Sequence, residues 1–320
     1  MPPADRALKR RPSLFRSGLG DNLVIKVGAA GDVLRTTPIL HVLQGPVDWV
    51  TDRAHKELVP RHPKIRSITE IDEAPESLSS RDYDLVLSLD DEHKPARLAS
   101  LVKAKRVVGA HLEKGQVAYT AEARPWFDMG LLSRLGKSKA DQLKLENRKT
   151  YQQILFGMLG HEFHGEPYVI DRPQGGPSPD PRRVGFELRS GERWPSKRWN
   201  GFDDLERLLR KSGFNVVRFE KRSTMGEFIR DVSACGCVVS GDTLALHIAL
   251  ALGIGVVGIF ICTSPWEVHD YGLMRRIVSP RLAEAFYRTA YMPEAVGAIS
   301  VQEVFSELMS LMAVRGPRTS

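Results

Sequence analysis

Short apolar runs rich in β-branched residues alternate with helical patterns along the chain. This alternation is typical of parallel α/β units, in which a helix follows each strand and covers the sheet. In the first half, strands are predicted at residues 23–27, 47–51, 67–71, 84–89 and 106–109. Helices are predicted there at residues 53–59, 94–103 and 147–159. Between residues 110 and 146 the pattern is irregular, so we expect loops and short helices.

A proline- and glycine-rich segment, residues 171–183, interrupts the alternation. This composition sustains neither helix nor sheet, and it predicts a linker between two domains. Beyond it, strands are predicted at residues 184–188, 216–219, 237–240 and 256–261. Helices are predicted at residues 201–211, 225–234, 243–252 and 301–312, the last behind a capping box that begins at Ser300. The expected domains are residues 22–170 and 184–320, each Rossmann-like, after a basic leader of residues 1–21.

One apolar run, residues 244–262, is nearly long enough to cross a bilayer. Gly253 and Gly255 divide it into a piece of helical length and a β-branched piece, residues 256–260. A buried helix that ends at glycine and leads into a central parallel strand explains this pattern better than a membrane span. We therefore predict a soluble protein.

Composition narrows the choice of partners. The chain has 320 residues, of which 42% are hydrophobic and 27% charged, so wholesale disorder is not expected. Its 46 basic and 39 acidic residues give a net charge of +7, which suits anionic partners. Nucleic acid is not expected, because no basic stripe is interleaved with aromatic residues. The first 20 residues hold five cations and no apolar run, which predicts a plain basic leader or a contact with a negative membrane surface rather than a secretory signal.

The three cysteines, Cys235, Cys237 and Cys262, are too few for a disulfide scaffold and fit a reducing compartment. The Cys-x-Cys spacing lacks the second ligand pair of a zinc site. No metal site is therefore predicted.

A small-residue turn, residues 28–32 (Gly-Ala-Ala-Gly-Asp), follows the first predicted strand. Small residues let backbone amides approach a ligand, and the N-terminus of a following helix favours an anionic group. The turn is not the GxGxxG dinucleotide motif. Asp32 is a candidate catalytic carboxylate, but an aspartate at this place also commonly caps its helix. Thr37 and Pro38 offer an alternative helix start that would leave Asp32 in the loop.

The second motif, residues 191–199 (GERWPSKRW), follows the first strand of the second half. Cationic groups at the carboxyl end of a strand are well placed for a phosphate. The alternative is a solvated loop that its two tryptophans anchor to the domain.

The third motif is residues 240–249 (SGDTLALHIA). Either Asp242 or Thr243 is expected to cap the helix that follows, which accounts for one of these two polar side chains but not for both. His247 lies one turn into an otherwise apolar helix. A hydrogen-bonded core histidine is the default interpretation, and contact with a ligand through Asp242 and Thr243 is the alternative.

Taken together, the three motifs resemble glycosyltransferase family 9, the heptosyltransferases that use ADP-heptose. Residues 22–40 (NLVIKVGAAGDVLRTTPIL) resemble the opening strand and loop of that family. Residues 194–199 resemble its W-x-x-K-x-W region, and residues 238–249 (VVSGDTLALHIA) resemble its D-T-x-x-x-H donor motif. The resemblance continues in the loop after the next strand, at Thr263-Ser264-Pro265, Glu267 and Tyr271-Gly272. It implies an α/β fold of the GT-B architecture, with two tandem Rossmann-like domains facing a central cleft.

The resemblance also implies an inverting transfer, in which an acceptor hydroxyl attacks the anomeric carbon of the sugar as the nucleotide diphosphate leaves. Asp32 matches the general base of the family, and Lys197 matches the lysine that contacts the diphosphate. No obligatory metal is implied, and a nucleotide sugar, ADP-heptose, is the expected co-substrate. The donor site is expected to include residues from all three motifs: Gly31, Ser190, Lys197, Asp242, Thr243, Leu244 and His247.

Four departures from the family limit how far its residue roles carry over, and they bear on the identity of the donor more than on the fold or the reaction type. Leu244 stands where the family usually has glycine, and Ala29 and Ala30 replace hydroxyl-bearing or larger residues. Residues 261–262 replace Gly-Pro. Residues 279–292 lack the cysteine cluster of a protein-modifying branch, so its iron site is not expected.

The acceptor is expected to be lipopolysaccharide core, a protein or a small natural product, and the location cytoplasmic with peripheral contact at the inner membrane. One alternative is a non-catalytic nucleotide-sugar-binding protein that kept the fold, which the changes at Leu244 and Cys262 favour. Another is a family member that uses a different nucleotide sugar. The joint presence of the four residues Asp32, Lys197, Asp242 and His247 favours an enzyme.

Overall fold

The computed structural model describes residues 20–173, 175 and 178–314. Most of the predicted basic leader therefore lies outside the described residues. The described chain forms two separate sheets, one on each side of the predicted linker, with helices between the strands. The α/β alternation predicted from the sequence is confirmed.

The first half contains a six-stranded sheet in the order β3-β2-β1-β4-β5-β6. Its strands are β1 (Asn22–Ile25), β2 (Val47–Thr51), β3 (Ile65–Glu70), β4 (Asp82–Ser88), β5 (Lys103–Glu113) and β6 (Gln116–Tyr119). All pairings are parallel except that of β5 with β6. The helices of this half are α1 (Ala30–Thr36), α2 (Ala74–Leu78), α3 (His93–Leu101), α4 (Arg124–Phe127), α5 (Lys137–Glu146) and α6 (Tyr151–Met158). Short 3₁₀ helices span Thr37–His41, Arg53–Leu58 and Ala121–Ala123.

The second half contains a five-stranded parallel sheet in the order β11-β10-β9-β7-β8. Its strands are β7 (Asp180–Glu187), β8 (Asn215–Arg218), β9 (Cys235–Gly241), β10 (Gly255–Phe260) and β11 (Met274–Val278). Its helices are α7 (Phe202–Lys211), α8 (Met225–Ser233), α9 (Leu244–Ala251), α10 (Leu282–Ala285), α11 (Pro293–Gly297) and α12 (Val301–Val314). A 3₁₀ helix spans Pro195–Lys197.

The predicted linker is shorter than expected, because β7 begins at Asp180 and includes Pro181. The β7–β9 ladder shifts register between Asp180 and Val184, and this irregularity accommodates a residue that has no backbone N–H to donate. Gly236 lies opposite, where a Cβ atom would come within 2.7 Å of the Cα of Pro181. The prediction that residues 171–183 sustain no sheet was therefore wrong for residues 180–183.

The irregular segment contains more regular structure than its pattern predicts. β5 continues to Glu113, and a two-residue turn leads into β6. Lys114 and Gly115 both have positive φ, 51° and 80°, as the tight turns of hairpins require. The helix predicted at residues 147–159 begins at Tyr151, after a capping box formed by Thr150.

The long apolar run divides into α9 and β10, as predicted, with Gly253 at φ 77° ending the helix. α9 is apolar on all sides because it packs against β9 and β10 on one side and against α1 of the first half on the other. One buried apolar cluster consequently crosses both halves. Within the described residues, no helix combines the length and apolarity that crossing a membrane requires.

Candidate active site

A cavity of about 1390 Å³ lies between the two halves. The loops after β1, β7 and β9 all open into it, because the carboxyl ends of parallel strands share one edge of each sheet. Every site residue predicted from the sequence lines this cavity: Gly31, Asp32, Ser190, Lys197, Asp242, Thr243, Leu244 and His247. Residues that are separated by more than half of the chain thus line the same cavity.

Asp32 lies in the first turn of α1 and does not cap it. The helix begins at Ala30 with Ala29 at the N-cap, and the N-cap residue makes no side-chain capping hydrogen bond. Ala29 has φ 50°, a left-handed conformation that is uncommon for a residue with a Cβ atom. The alternative start at Thr37 was wrong, since Thr37 begins a 3₁₀ helix after α1 has ended. The Asp32 carboxylate is 27% exposed and faces the cavity.

Asp90 fixes the loop between β1 and α1, the helix on which Asp32 lies. Its carboxylate accepts hydrogen bonds from the N–H groups of Val27 and Gly28, at 2.5 and 3.0 Å, and from Nζ of Lys26, at 2.5 Å. Lys26 and Asp90 are both buried, and both line the cavity. Although burial by itself lowers the pKa of Lys26, Asp90 and Asp32 raise it further, so the ammonium stays charged. Sequence reasoning missed this pair, although Asp90 directly follows a predicted strand.

On the other wall, Lys197 and His247 flank Asp242. Nζ of Lys197 donates to the backbone oxygen of Asp242 at 3.0 Å and lies 3.4 Å from its Oδ2. Nε2 of His247 lies 3.5 Å from Oδ1. Burial alone would raise the pKa of the Asp242 carboxyl, but Lys197, His247 and Arg35 together hold it well below its usual range. Asp242 is therefore a charged carboxylate, and the ammonium group of Lys197 lies beside it.

His247 is a buried histidine with partners on both ring nitrogens. Its Nδ1 lies 3.1 Å from the hydroxyl of Tyr168, and its Nε2 faces Asp242. Burial lowers the pKa of His247, and the opposing effect of Asp242 does not reverse this, so the ring is neutral at pH 7. The default interpretation of a hydrogen-bonded core histidine is confirmed, and the same ring also borders the cavity.

Neither polar residue of the third motif caps α9 with its side chain. Thr243 occupies the N-cap position, but its Oγ1 lies 2.8 Å from Oγ of Ser240 and makes no capping bond. The prediction that Asp242 or Thr243 caps this helix through its side chain was therefore wrong. The backbone at the N-terminus of α9 borders the cavity, with Leu244 half-buried beside it.

Both interpretations of the second motif describe part of it. Trp199 is 2% exposed and donates to the carbonyl oxygen of Ile299 at 3.1 Å, while Trp194 packs edge-on against Tyr287. The two tryptophans thus anchor the loop, and the anchored 3₁₀ turn presents Lys197 to the cavity. Ser190 lines the same cavity from the end of β7.

Cys262 lies away from solvent. It is fully buried in an apolar cluster of the second half, and burial raises the pKa of its thiol to about 11. Cys235 and Cys237 are also buried. Across the part of the chain that the structure describes, no cluster of three or more His, Cys, Asp or Glu side chains could hold a metal ion.

Gly31 allows the two halves to approach. A Cβ atom at this position would lie 2.9 Å from Cδ2 of His247, across the contact between α1 and α9. His247 cannot yield easily, because Tyr168 and Asp242 hold its ring. The Gly31→Ala variant is therefore expected to lose roughly 1–3 kcal/mol of unfolding free energy, as overpacked sites do.

Denaturant unfolding measures this loss, and Gly157→Ala is its matched control. Gly157 lies in α6, and nothing stands within 4 Å of its added Cβ atom, so that variant should gain up to about 1 kcal/mol from helix propensity. Equal stability changes in the two variants would contradict the role assigned to Gly31.

Three residues that sequence reasoning did not place in the site form a charged cluster beside Asp32. They are Arg35 on α1, Lys144 on α5 and Glu267 in the loop after β10. Their contacts join residues up to 232 positions apart, which no local pattern could reveal.

Two α/β sheets that face each other across a cleft define the GT-B class of fold. A glycosyltransferase family 9 protein from Veillonella parvula matches with a TM-score of 0.64 and 17% identity, over 92% of this chain and 97% of that one. The E. coli heptosyltransferase WaaC, solved with ADP, matches with a TM-score of 0.63 and 15% identity, over 91% and 99%. E. coli ADP-heptose lipopolysaccharide heptosyltransferase II matches with a TM-score of 0.55 and 18% identity, over 92% and 99%.

At these identities the likeness establishes the fold. The GT-B architecture that the resemblance implied is thereby confirmed. No protein-family model and no curated protein matches the sequence.

Proposed function

We propose that the protein is an inverting glycosyltransferase that moves a sugar from a nucleotide diphosphate, ADP-heptose in the first instance, to an acceptor hydroxyl. Residues 22–170 would bind the acceptor, and residues 184–320 the donor. The observation that carries the proposal is one cavity with Asp32 on its first wall and the Lys197–Asp242 pair on its second. The fold shared with a heptosyltransferase solved with ADP supports the choice of donor.

In the proposed reaction, the acceptor oxygen attacks the anomeric carbon while its proton passes to the carboxylate of Asp32. A hydroxyl is a weak nucleophile at neutral pH, so a carboxylate that accepts this proton in the transition state speeds the attack. The bond between the anomeric carbon and the phosphate oxygen breaks, and its electron pair leaves with the nucleotide diphosphate. One displacement of this kind inverts the anomeric configuration.

The charge that grows on the leaving diphosphate needs stabilisation. The ammonium group of Lys197 and the backbone N–H groups at the N-terminus of α9 supply it in this proposal. Asp242 then has two tasks: it orients Lys197, and it accepts hydrogen bonds from sugar hydroxyls. Ser190, in the loop after β7, and Gly31, in the first turn of α1, complete the donor site in this proposal.

The acceptor is a hydroxyl of a glycan, a protein or a small molecule. For a lipopolysaccharide core, the expected location is the cytoplasm, with peripheral contact at the inner membrane. The side chain of Leu244 lines the cavity beside the N-terminus of α9, so less space is left there than glycine would leave. We expect this side chain to limit which donor sugars fit.

Calorimetric titration with ADP, UDP and GDP, followed by ADP-heptose against ADP-glucose, tests the proposal. Binding selective for ADP and tightened by the heptose is the expected result. Preference for UDP or GDP would be consistent with a glycosyltransferase and would show that ADP-heptose is not its donor. Failure of all of them to bind would contradict the proposal and favour a protein that kept the fold without the activity.

A further inference from the structure

A charged cluster joins the two halves at the edge of the cavity. It consists of Asp32, Arg35, Lys144 and Glu267, which we call the base cluster. Glu267 comes from the second half and the other three from the first. The cluster therefore exists only where the two halves meet.

Arg35 is the centre of the base cluster. Its side chain is 7% exposed, with Nη1 3.4 Å from Oδ1 of Asp32 and Nη2 3.8 Å from Oε2 of Glu267. Its guanidinium group stacks 4.2 Å above the ring of Tyr151. Burial by itself lowers the pKa of Arg35, but Asp32 and Glu267 raise it further, so the cation is permanent.

Glu267 is fixed on both its backbone and its side chain. Its carbonyl oxygen accepts a hydrogen bond from the backbone N–H of Tyr151 at 2.9 Å and one from Nη2 of the Arg35 guanidinium group at 3.5 Å. Its carboxylate is 6% exposed, and Oε1 lies 3.6 Å from Nζ of Lys144. Lys144 in turn lies 4.6 Å from the ring centroid of Tyr287. The loop that bears Glu267 is thus held by α5 and α6 of the opposite half.

We infer that Arg35 and Glu267 are positioning residues for Asp32, and this rests on the transferase function proposed above. Glu267 holds Arg35, and Arg35 holds Oδ1 of Asp32, which leaves Oδ2 for the acceptor hydroxyl. The base is therefore oriented only when the two halves are in contact.

Glu267 has a second effect during the reaction. When Asp32 takes the acceptor proton, it loses its charge, and Arg35 loses one of its two anionic partners. A buried cation left without a partner is costly, and Glu267 continues to neutralise Arg35 at that moment. The proton transfer consequently leaves no unpaired buried charge.

Glu267→Gln tests this inference, because it keeps the shape of the side chain and removes its charge. We expect kcat to fall by about ten- to a hundredfold, as misplaced catalytic groups cause, with KM for the donor and the Kd for ADP unchanged. Arg35→Lys should lose less than Arg35→Met, because lysine retains the charge. Asp171→Asn is the control: it removes an exposed ion pair with Arg61 outside the cavity and should leave kcat unchanged.

A double-mutant cycle separates positioning from a general structural role. In an Asp32→Asn background, Glu267→Gln should cause no further loss of kcat, because the residue it positions is already disabled. A loss by the same factor in both backgrounds, or an unchanged kcat in Glu267→Gln alone, would overturn the inference.

A readout that needs no transfer keeps this test separate from that of the proposed function. With ¹³C-labelled aspartate, the carboxyl resonance that disappears in Asp32→Asn should shift in Glu267→Gln and stay in place in Asp171→Asn. An unmoved resonance would refute the inference even if the protein transfers sugar. A shifted resonance in a protein that binds no nucleotide sugar would support the coupling and refute the function.

Discussion

Asp32→Asn is expected to lower kcat by roughly 10²–10⁴-fold, the range that a general base contributes. The amide occupies the same volume but cannot accept the acceptor proton. Because Asp32 comes from the first half, and the proposed donor residues Lys197 and Asp242 come from the second, the affinity for ADP should not change. Steady-state kinetics with ADP-heptose, together with calorimetric titration of ADP, measure the two effects separately.

Asp82→Asn is the matched control for this variant. The Asp82 side chain is 80% exposed at the start of β4, and its ion pair with Lys103 lies on the surface. Such pairs contribute little, so kcat should equal that of the wild type. Full activity in Asp32→Asn would remove Asp32 from the role of base. A parallel loss of ADP binding would instead indicate that Asp32 contacts the donor.

The convergence of the three motifs could be predicted from the sequence. Asp32, Ser190 and Asp242 each follow a predicted strand by a few residues. In a parallel sheet such residues gather at the carboxyl edge, and two sheets that face each other bring their edges to one cleft. The strand pattern therefore predicts which residues meet at the site. It does not predict the direction in which each side chain points.

Contacts between the halves could not be predicted in this way. Arg35 lies on the short helix α1, where Asp32 is its ion-pair partner on the same helix, and Glu267 lies in a loop. Their pairing depends on how α1 docks against the second half. The need for glycine at position 31 could not be predicted either. It follows from the packing of the two halves, in which a Cβ atom at Gly31 would lie 2.9 Å from Cδ2 of His247.

Two secondary-structure errors have local causes. Pro181 argued against a strand, but the shifted register and Gly236 accommodate it in β7. β6 was missed because its turn is Lys114-Gly115 rather than a common Asn-Gly pair, so no hairpin signal marks it in the sequence.

Lys197→Met is expected to affect both stability and activity. Removing the ammonium leaves the carboxylate of Asp242, 15% exposed, with the neutral ring of His247 as its remaining side-chain contact among the described residues. At pH 7 the unfolding free energy should fall by roughly 2–4 kcal/mol, as it does when one partner of a largely buried pair is removed. Transfer should fall by about 10²–10³-fold in kcat, because the group that stabilises the leaving diphosphate is lost.

The pH dependence of this stability loss follows from the depressed pKa of Asp242. A carboxyl whose pKa is lower in the folded state stabilises the fold above its unfolded value of about 4, and this contribution disappears as the pH falls through the folded value. The difference in unfolding free energy between wild type and Lys197→Met should therefore be full at pH 7 and smaller at about pH 3. A difference that stays constant between these pH values would contradict the pairing.

The double variant Lys197→Met/Asp242→Asn separates the two effects. Because the amide carries no charge, it should recover much of the stability that Lys197→Met loses at pH 7. Activity should stay low, since neither the ammonium nor the carboxylate is present. Recovery of transfer together with stability would mean that Lys197 acts only by neutralising Asp242, and the leaving diphosphate would then need another partner.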